Sequence, residues 1–165
     1  MTPEQAKFLT QTIGQQLQRE WMTTYKVIAA VPEDKKSFKP QADSRDAWFL
    51  AHHIATCDVG FLHAIAANDF KVFPAKTDAK TTAALADWYK HEFPKALEKI
   101  LALDGPHLAQ VIEAFGFYKM PSAAFAVFCN NHMIHHRGQL STYLRPMGAK
   151  CPSIYGPSFD EKIPS

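Results

Sequence analysis

The sequence predicts an all-α fold, a four-helix bundle with long connections. Three observations predict it. Apolar residues recur at helical spacing in four long stretches, Pro-marked loops separate those stretches, and apolar–polar alternation of strand type is scarce. Neither Gly-x-Gly-x-x-Gly nor Gly-x4-Gly-Lys-Ser/Thr occurs, which argues against a Rossmann or P-loop fold. The chain has 165 residues, 47% hydrophobic and 21% charged, enough apolar material for a full core. It reads as a single domain over 1–165, with 149–165 as an extended C-terminal tail.

Each element has a local reason. Thr2-Pro3-Glu4-Gln5 starts the first helix: Thr2 caps, Pro3 suits the first helical position, and Gln5 completes a capping box. Leu9, Ile13, Leu17, Trp21, Tyr25 and Ile28 then form one apolar stripe, which Pro32 ends. A loop over 32–43 leads to Ser44, read as the cap of a second helix reaching Asn68. A second loop around Pro74 precedes a third helix over about 81–103, where Pro94 predicts a kink or a split. Residues 106–120 read either as a short extended pair, Val111-Ile112 with Phe115–Tyr118, or as a packed crossing segment. Pro121 is read as the start of the fourth helix, which ends near Arg145-Pro146.

Composition excludes several classes. Eighteen Lys and Arg against sixteen Asp and Glu give a net charge of +2, too little for a dedicated nucleic-acid binder. Three Cys without a Cys-x-x-Cys pair rule out a disulfide scaffold and fit a reducing compartment, so a cytoplasmic location is expected. The N-terminus lacks the basic-then-apolar run of a signal peptide. No stretch nears the roughly 20 apolar residues of a membrane helix. Ser122, Ser141 and Ser153 lack a nucleophile-elbow context.

Eight His is the unusual count, and five fall in two groups, His52-His53 and His132/His135/His136. Stepping about 100° per residue from Phe125 puts Cys129, His132, His136, Leu140 and Tyr143 within about 60° of it. His135 falls at the stripe's edge, and Arg137, at about 120°, lies off the stripe where it can make an inter-helix or interface salt bridge. On the second helix, with Leu50 at zero, His53 lies at about −60° on the flank of the core stripe and His52 at about −160° faces away. Two imidazoles at i and i+4 can bind one ion, and a third from a neighbouring helix leaves an open position of the kind catalytic sites keep. The alternatives are hydrogen-bonded core histidines, a haem, or a mixed His/Cys zinc site using Cys57 or Cys129. Neither Asp-x-Asp nor Glu-x-x-His occurs, against a di-iron carboxylate bundle. His63, His91 and His107 read as surface residues, and Trp21, Trp48 and Trp88 as core or interface.

The segment Asn131-His132-Met133-Ile134-His135-His136-Arg137-Gly138-Gln139, continuing through Tyr143 to Gly148, resembles the fourth-helix signature of the DinB/YfiT-like family. Cys151-Pro152-Ser153-Ile154-Tyr155-Gly156-Pro157-Ser158 is similar to that family's tail, and Ala51-His52-His53-Ile54 to its second-helix motif. The resemblance implies a four-helix bundle holding a divalent metal, zinc or nickel before manganese or iron, on three His. Carried residue by residue, these are His53, His132 and His136, with His135 matching a non-ligand. It further implies a metal-dependent thiol S-transferase using a low-molecular-weight thiol such as bacillithiol or mycothiol, a small-molecule substrate and, in many members, a homodimer. Three readings stand at this point. The chain is such an enzyme, a non-catalytic metal- or ligand-binding stress-response bundle, or a bundle whose inward His only satisfy buried polar groups.

Overall fold

In the computed structural model, which describes residues 1–162, four long helices form the bundle. They are α1 (Pro3–Ala29), α2 (Ala47–Ala67), α3 (Thr82–Ala102) and α5 (Ala124–Leu144). A short α4 (Gly105–Ala109) and a hairpin of β1 (Val111–Ala114) and β2 (Tyr118–Pro121) lie between α3 and α5. Helix α1 packs on α3 and α5, and so does α2, so α1 and α2 are diagonal partners. That arrangement explains the long connection over 30–46, which must cross one end of the bundle.

The start of α1 follows the sequence reading. Thr2 Oγ1 accepts from the Gln5 amide, and Gln5 Oε1 accepts from the Thr2 amide. The start of α2 does not. Asp46 rather than Ser44 is the cap, its carboxylate accepting from the Phe49 amide at 2.7 Å. Both residue types cap well, so only the position of the first helical turn separates them. Asn68 closes α2 in the left-handed conformation, with φ 51°. Thr81 caps α3, which continues unbroken through Pro94. At the far end of α3, Lys7 of α1 donates to the carbonyls of Leu101 and Leu103 at 2.7 and 2.6 Å, placing a cation at the helix's negative pole.

The undecided segment 106–120 holds both a helix turn and an antiparallel pair. Ile112 and Ala114 point inward while Val111 and Glu113 are exposed, and Ile112 faces Met120 in register. Phe115 and Gly116, at φ 56° and 76°, turn the chain. Pro121 therefore ends β2 rather than starting a helix, and α5 begins at Ala124. Gly105 lets α4 press on the start of α1, since a Cβ there would sit 2.5 Å from the Pro3 carbonyl oxygen.

Helix α2 is the central helix. It has the length and apolar composition of a membrane span, more than the sequence reading allowed. Yet 72% of its apolar window is buried inside the bundle, as in the core helix of a globular fold. Its core neighbours include Tyr89, Phe93 and Leu97 of α3, all buried. Each fully buried side chain of this size contributes about 1.5–3 kcal/mol. His107, read as a surface residue, is enclosed more than that. His107 is half-buried and its Nε2 bonds to the Ile65 carbonyl at 2.9 Å, tying α4 to the end of α2. Arg137 makes the inter-helix salt bridge its position off the stripe allowed, and it is 1% exposed because its partner Glu20 projects from α1 into the same interface. A helix projected alone cannot show that neighbour. The tail from 149 carries no helix or strand among the described residues, and 163–165 lie outside them.

Candidate metal centre

Helices α2 and α5 bring three imidazoles to one point. His53 Nε2 lies 3.1 Å from His132 Nε2 and 3.3 Å from His136 Nε2. The ring centroids are 4.9 Å apart for His53–His132, 4.7 Å for His53–His136 and 4.5 Å for His132–His136. His132 and His136 share one face of α5 because they are one turn apart, and His53 reaches them from the flank of α2. His52, on the next residue, turns away and sits 5.9 Å from the Trp48 ring. His135 lies beside His136 at 4.7 Å between centroids. None of the three converging rings is fully enclosed.

The remote nitrogens are also engaged. His132 Nδ1 faces Asp58 Oδ1 at 2.8 Å, His136 Nδ1 faces Gln139 Oε1 at 3.0 Å, and His53 Nδ1 faces Cys57 Sγ at 3.3 Å. A carboxylate and an amide oxygen accept hydrogen bonds, which places the ring proton on Nδ1 and the lone pair on Nε2. The consequence is electrostatic. The His132 and His136 Nε2 lone pairs both face His53 Nε2, which can meet them through its own proton or through a cation shared by all three. With metal–nitrogen bonds of about 2.0–2.1 Å, a tetrahedral site has an N···N edge of about 3.3 Å. The spacing of the donor set therefore fits a divalent ion, and Asp58 behind His132 is the carboxylate partner that metal-bound His often has.

Burial shapes the charge states. Loss of hydration lowers the pKa of His53 and of His132 to about 4 each, with the neighbouring imidazoles adding to the effect. His136 is lowered for the same first reason, against the pull of Gln139. All three are thus held neutral, the form that ligates metal. Burial raises Asp58, and pushes the Cys57 thiol up to about 12. The walls are aromatic. Phe49 stacks on His53 at 6.0 Å with planes 7° apart, and Phe61 meets His132 edge-on at 5.5 Å.

Cys57 enters a second grouping. Among the described residues, the ligand atoms of His53, Cys57 and His132 all lie within 4.8 Å of one another. Cys129 is fully buried and donates to the Asp58 carbonyl at 3.5 Å, behaving as a core residue. Cys151 is half-buried, with its thiol toward the Pro152 carbonyl. Two sizeable cavities lie elsewhere. One of about 680 Å3 runs between α1 and α3 along Gln11, Gly14 and Leu101, and one of about 780 Å3 is built on His52, His63 and the 71–78 loop.

Asp58 and Tyr89 escaped the sequence reading. The signal for Asp58 was available, since projection puts it at about 80° on α2, between Ile65 at about 60° and Leu62 at about 120°. An acidic residue there needs a partner. No such signal marks Tyr89, which is an ordinary aromatic of an amphipathic helix.

Comparison with known proteins agrees with this architecture. The chain is 30% identical over 143 residues to the uncharacterized protein YrdA of Bacillus subtilis strain 168, covering 84% of this chain and 83% of YrdA. It is 28% identical over 127 residues to YjoA of the same organism, covering 76% and 82%. The crystal structure of the DinB-like protein YjoA superposes with a TM-score of 0.71 at 24% identity, covering 92% of this chain and 99% of that one. A DinB-like protein from Bacillus cereus ATCC 10987 gives 0.68 at 24% identity, covering 87% and 95%. These two show a shared fold. The DinB family as a whole matches residues 5–164, nearly the entire chain, and with the bundle and its order of helices this establishes that the protein belongs to the DinB family.

Proposed function

We propose that this protein is a metal-dependent thiol S-transferase. In this reading His53, His132 and His136 hold one divalent ion, zinc or nickel. A low-molecular-weight thiol and a small electrophile are the reactants, in a cytoplasmic setting. The observation that carries it is the convergence of three Nε2 nitrogens, at 3.1 and 3.3 Å from His53, in rings that are only partly enclosed. Three protein ligands leave a coordination position open, as catalytic sites require. Imidazole donors suit zinc and nickel alike.

The chemistry such an ion supplies when bound is Lewis acidity, which lowers the cost of the thiolate form of a thiol. The reaction forms one S–C bond, breaks the bond from carbon to the leaving group, and releases the thiol proton with that group. The chain's own residues prepare the site. His132 and His136 keep their protons on Nδ1, held by Asp58 and Gln139. Phe49 and Phe61 line the imidazoles with apolar surface. Burial holds the Cys57 thiol up at about 12, so in this reading it is not assigned as the reacting thiol. The nucleophile comes from the cosubstrate.

Elemental analysis and a conjugation assay test this. Purified at neutral pH without chelator, the protein should carry about one zinc or nickel per chain. It should consume thiol in the presence of an aryl halide. The triple variant H53A/H132A/H136A should keep its helical circular dichroism and lose both properties. A wild-type chain without stoichiometric metal refutes the reading.

A second reading has one observation in its favour. Cys57 stands within the group it forms with His53 and His132, so a thiolate can close the site as a fourth ligand. A closed site belongs to a metal-binding or stress-response bundle without catalysis. Cobalt substitution separates the two: a sulfur-to-metal charge-transfer band that vanishes in C57S supports the closed site.

A further inference from the structure

We propose that Asp58 and Tyr89 are positioning residues of this centre, Asp58 holding the Nδ1 proton of His132 and Tyr89 holding Asp58 in place. The inference rests on the three-histidine reading above. It draws α3, which contributes no histidine to the cluster, into the site.

Asp58 is 0% exposed in the middle of the apolar helix α2. Among the described residues the only basic side chain within ion-pair distance is His132, a neutral imidazole; no Lys or Arg lies that close. A carboxylate buried there without compensation is a costly feature of a core. Its two oxygens divide their partners. Oδ1 faces His132 Nδ1 at 2.8 Å, and Oδ2 accepts from the Tyr89 hydroxyl at 3.2 Å. Tyr89 is itself 0% exposed, in the layer with Phe93. The Cys129 thiol donates to the Asp58 carbonyl, tying the same turn of α2 to α5.

The chemistry argues for an aspartate in particular. With the Tyr89 hydroxyl donating to Oδ2, Asp58 is assigned here as the ionised carboxylate, whose oxygens only accept; it thereby selects the Nδ1–H tautomer and turns the Nε2 lone pair toward His53. An asparagine of the same shape offers both a donor and an acceptor and enforces neither tautomer. The carboxylate also sets one negative charge behind a ring that faces a divalent cation, which raises the ring's basicity as a ligand. Tyr89 occupies Oδ2 and thereby fixes which oxygen His132 meets. A purely structural network would need neither the charge nor this orientation.

Zinc affinity and the His132 tautomer test the proposal together. Wild type, D58N and Y89F are titrated with zinc against a competing chelator. The side-chain nitrogen NMR of His132 is recorded in the metal-free proteins, and melting is followed by circular dichroism. Wild-type His132 should carry its proton on Nδ1. D58N should lose zinc affinity by about 10–100-fold while still melting cooperatively. Its His132 should populate both tautomers. Y89F should lose affinity in the same direction, by a smaller factor. Should D58N fail to fold, the wild-type tautomer and Y89F decide. D58N binding zinc as tightly as wild type, or wild-type His132 protonated on Nε2, overturns the inference and leaves the three-histidine centre standing. Wild-type protein that binds no zinc or nickel overturns both.

Discussion

Removing Glu20 should cost this fold more than removing Glu20 and Arg137 together. Arg137 is 1% exposed, and the Glu20 side chain retains 15% exposure. The guanidinium donates to the Glu20 carboxylate, to the Glu20 carbonyl at 3.2 Å, and to the Tyr155 hydroxyl at 2.7 Å. Tyr155 in turn donates to the same carboxylate at 3.1 Å. Breaking a fully buried pair by removing one partner costs about 3–5 kcal/mol. Here Glu20 reaches solvent and two neutral acceptors remain, so E20A should fall at the low end, about 3 kcal/mol. For a chain of this length that lowers the melting temperature by about 6–12 °C. The double variant E20L/R137M removes both charges and fills the space with apolar atoms, so it should stay within about 1 kcal/mol of wild type. Urea denaturation of the three proteins, with equal m-values, measures each difference. An E20A loss under about 0.5 kcal/mol, or a double variant as unstable as E20A, refutes the buried-charge argument.

Two further outcomes follow from local chemistry. Glu33 binds Lys36 and accepts from the Thr82 amide and hydroxyl, and these bonds, the Lys36 bond foremost, hold its pKa at about 2 against an ordinary 4.5. The folded-state pKa is depressed, so this contribution to stability is full above pH 4.5 and is lost as pH falls toward 2. In denaturation curves taken from pH 6 downward, E33Q should show a flatter loss of stability than wild type; parallel curves would contradict the assignment. Cys151 is half-buried, whereas Cys57 and Cys129 are buried, with Cys57 raised to about 12. Iodoacetamide on the native chain should therefore label Cys151 first, with the other two labelled only in urea, as read by mass spectrometry. Prompt native labelling of Cys57 would contradict its enclosure.

The sequence by itself determined the helices and which of their faces turn inward. Helical periodicity is a local property, so Leu17, Phe61 and Leu140 mark their own stripes, and His53, His132 and His136 fall on or beside those stripes. Caps are local too, but interchangeable. Ser44 and Asp46 offer the same chemistry two residues apart, and only packing selected Asp46. Pro121 misled because proline suits a helix start and a strand end equally, and its register opposite Val111 depends on a partner strand. The convergence of three Nε2 atoms lay beyond projection, since one helix's wheel contains neither the height nor the rotation of its neighbour. The same limit hid Arg137 against Glu20 across 117 residues of chain, and Tyr89 beneath Asp58. Tertiary structure alone decided those meetings, because a hydrogen bond is made at about 3 Å between atoms whose approach is set by the packing of whole helices.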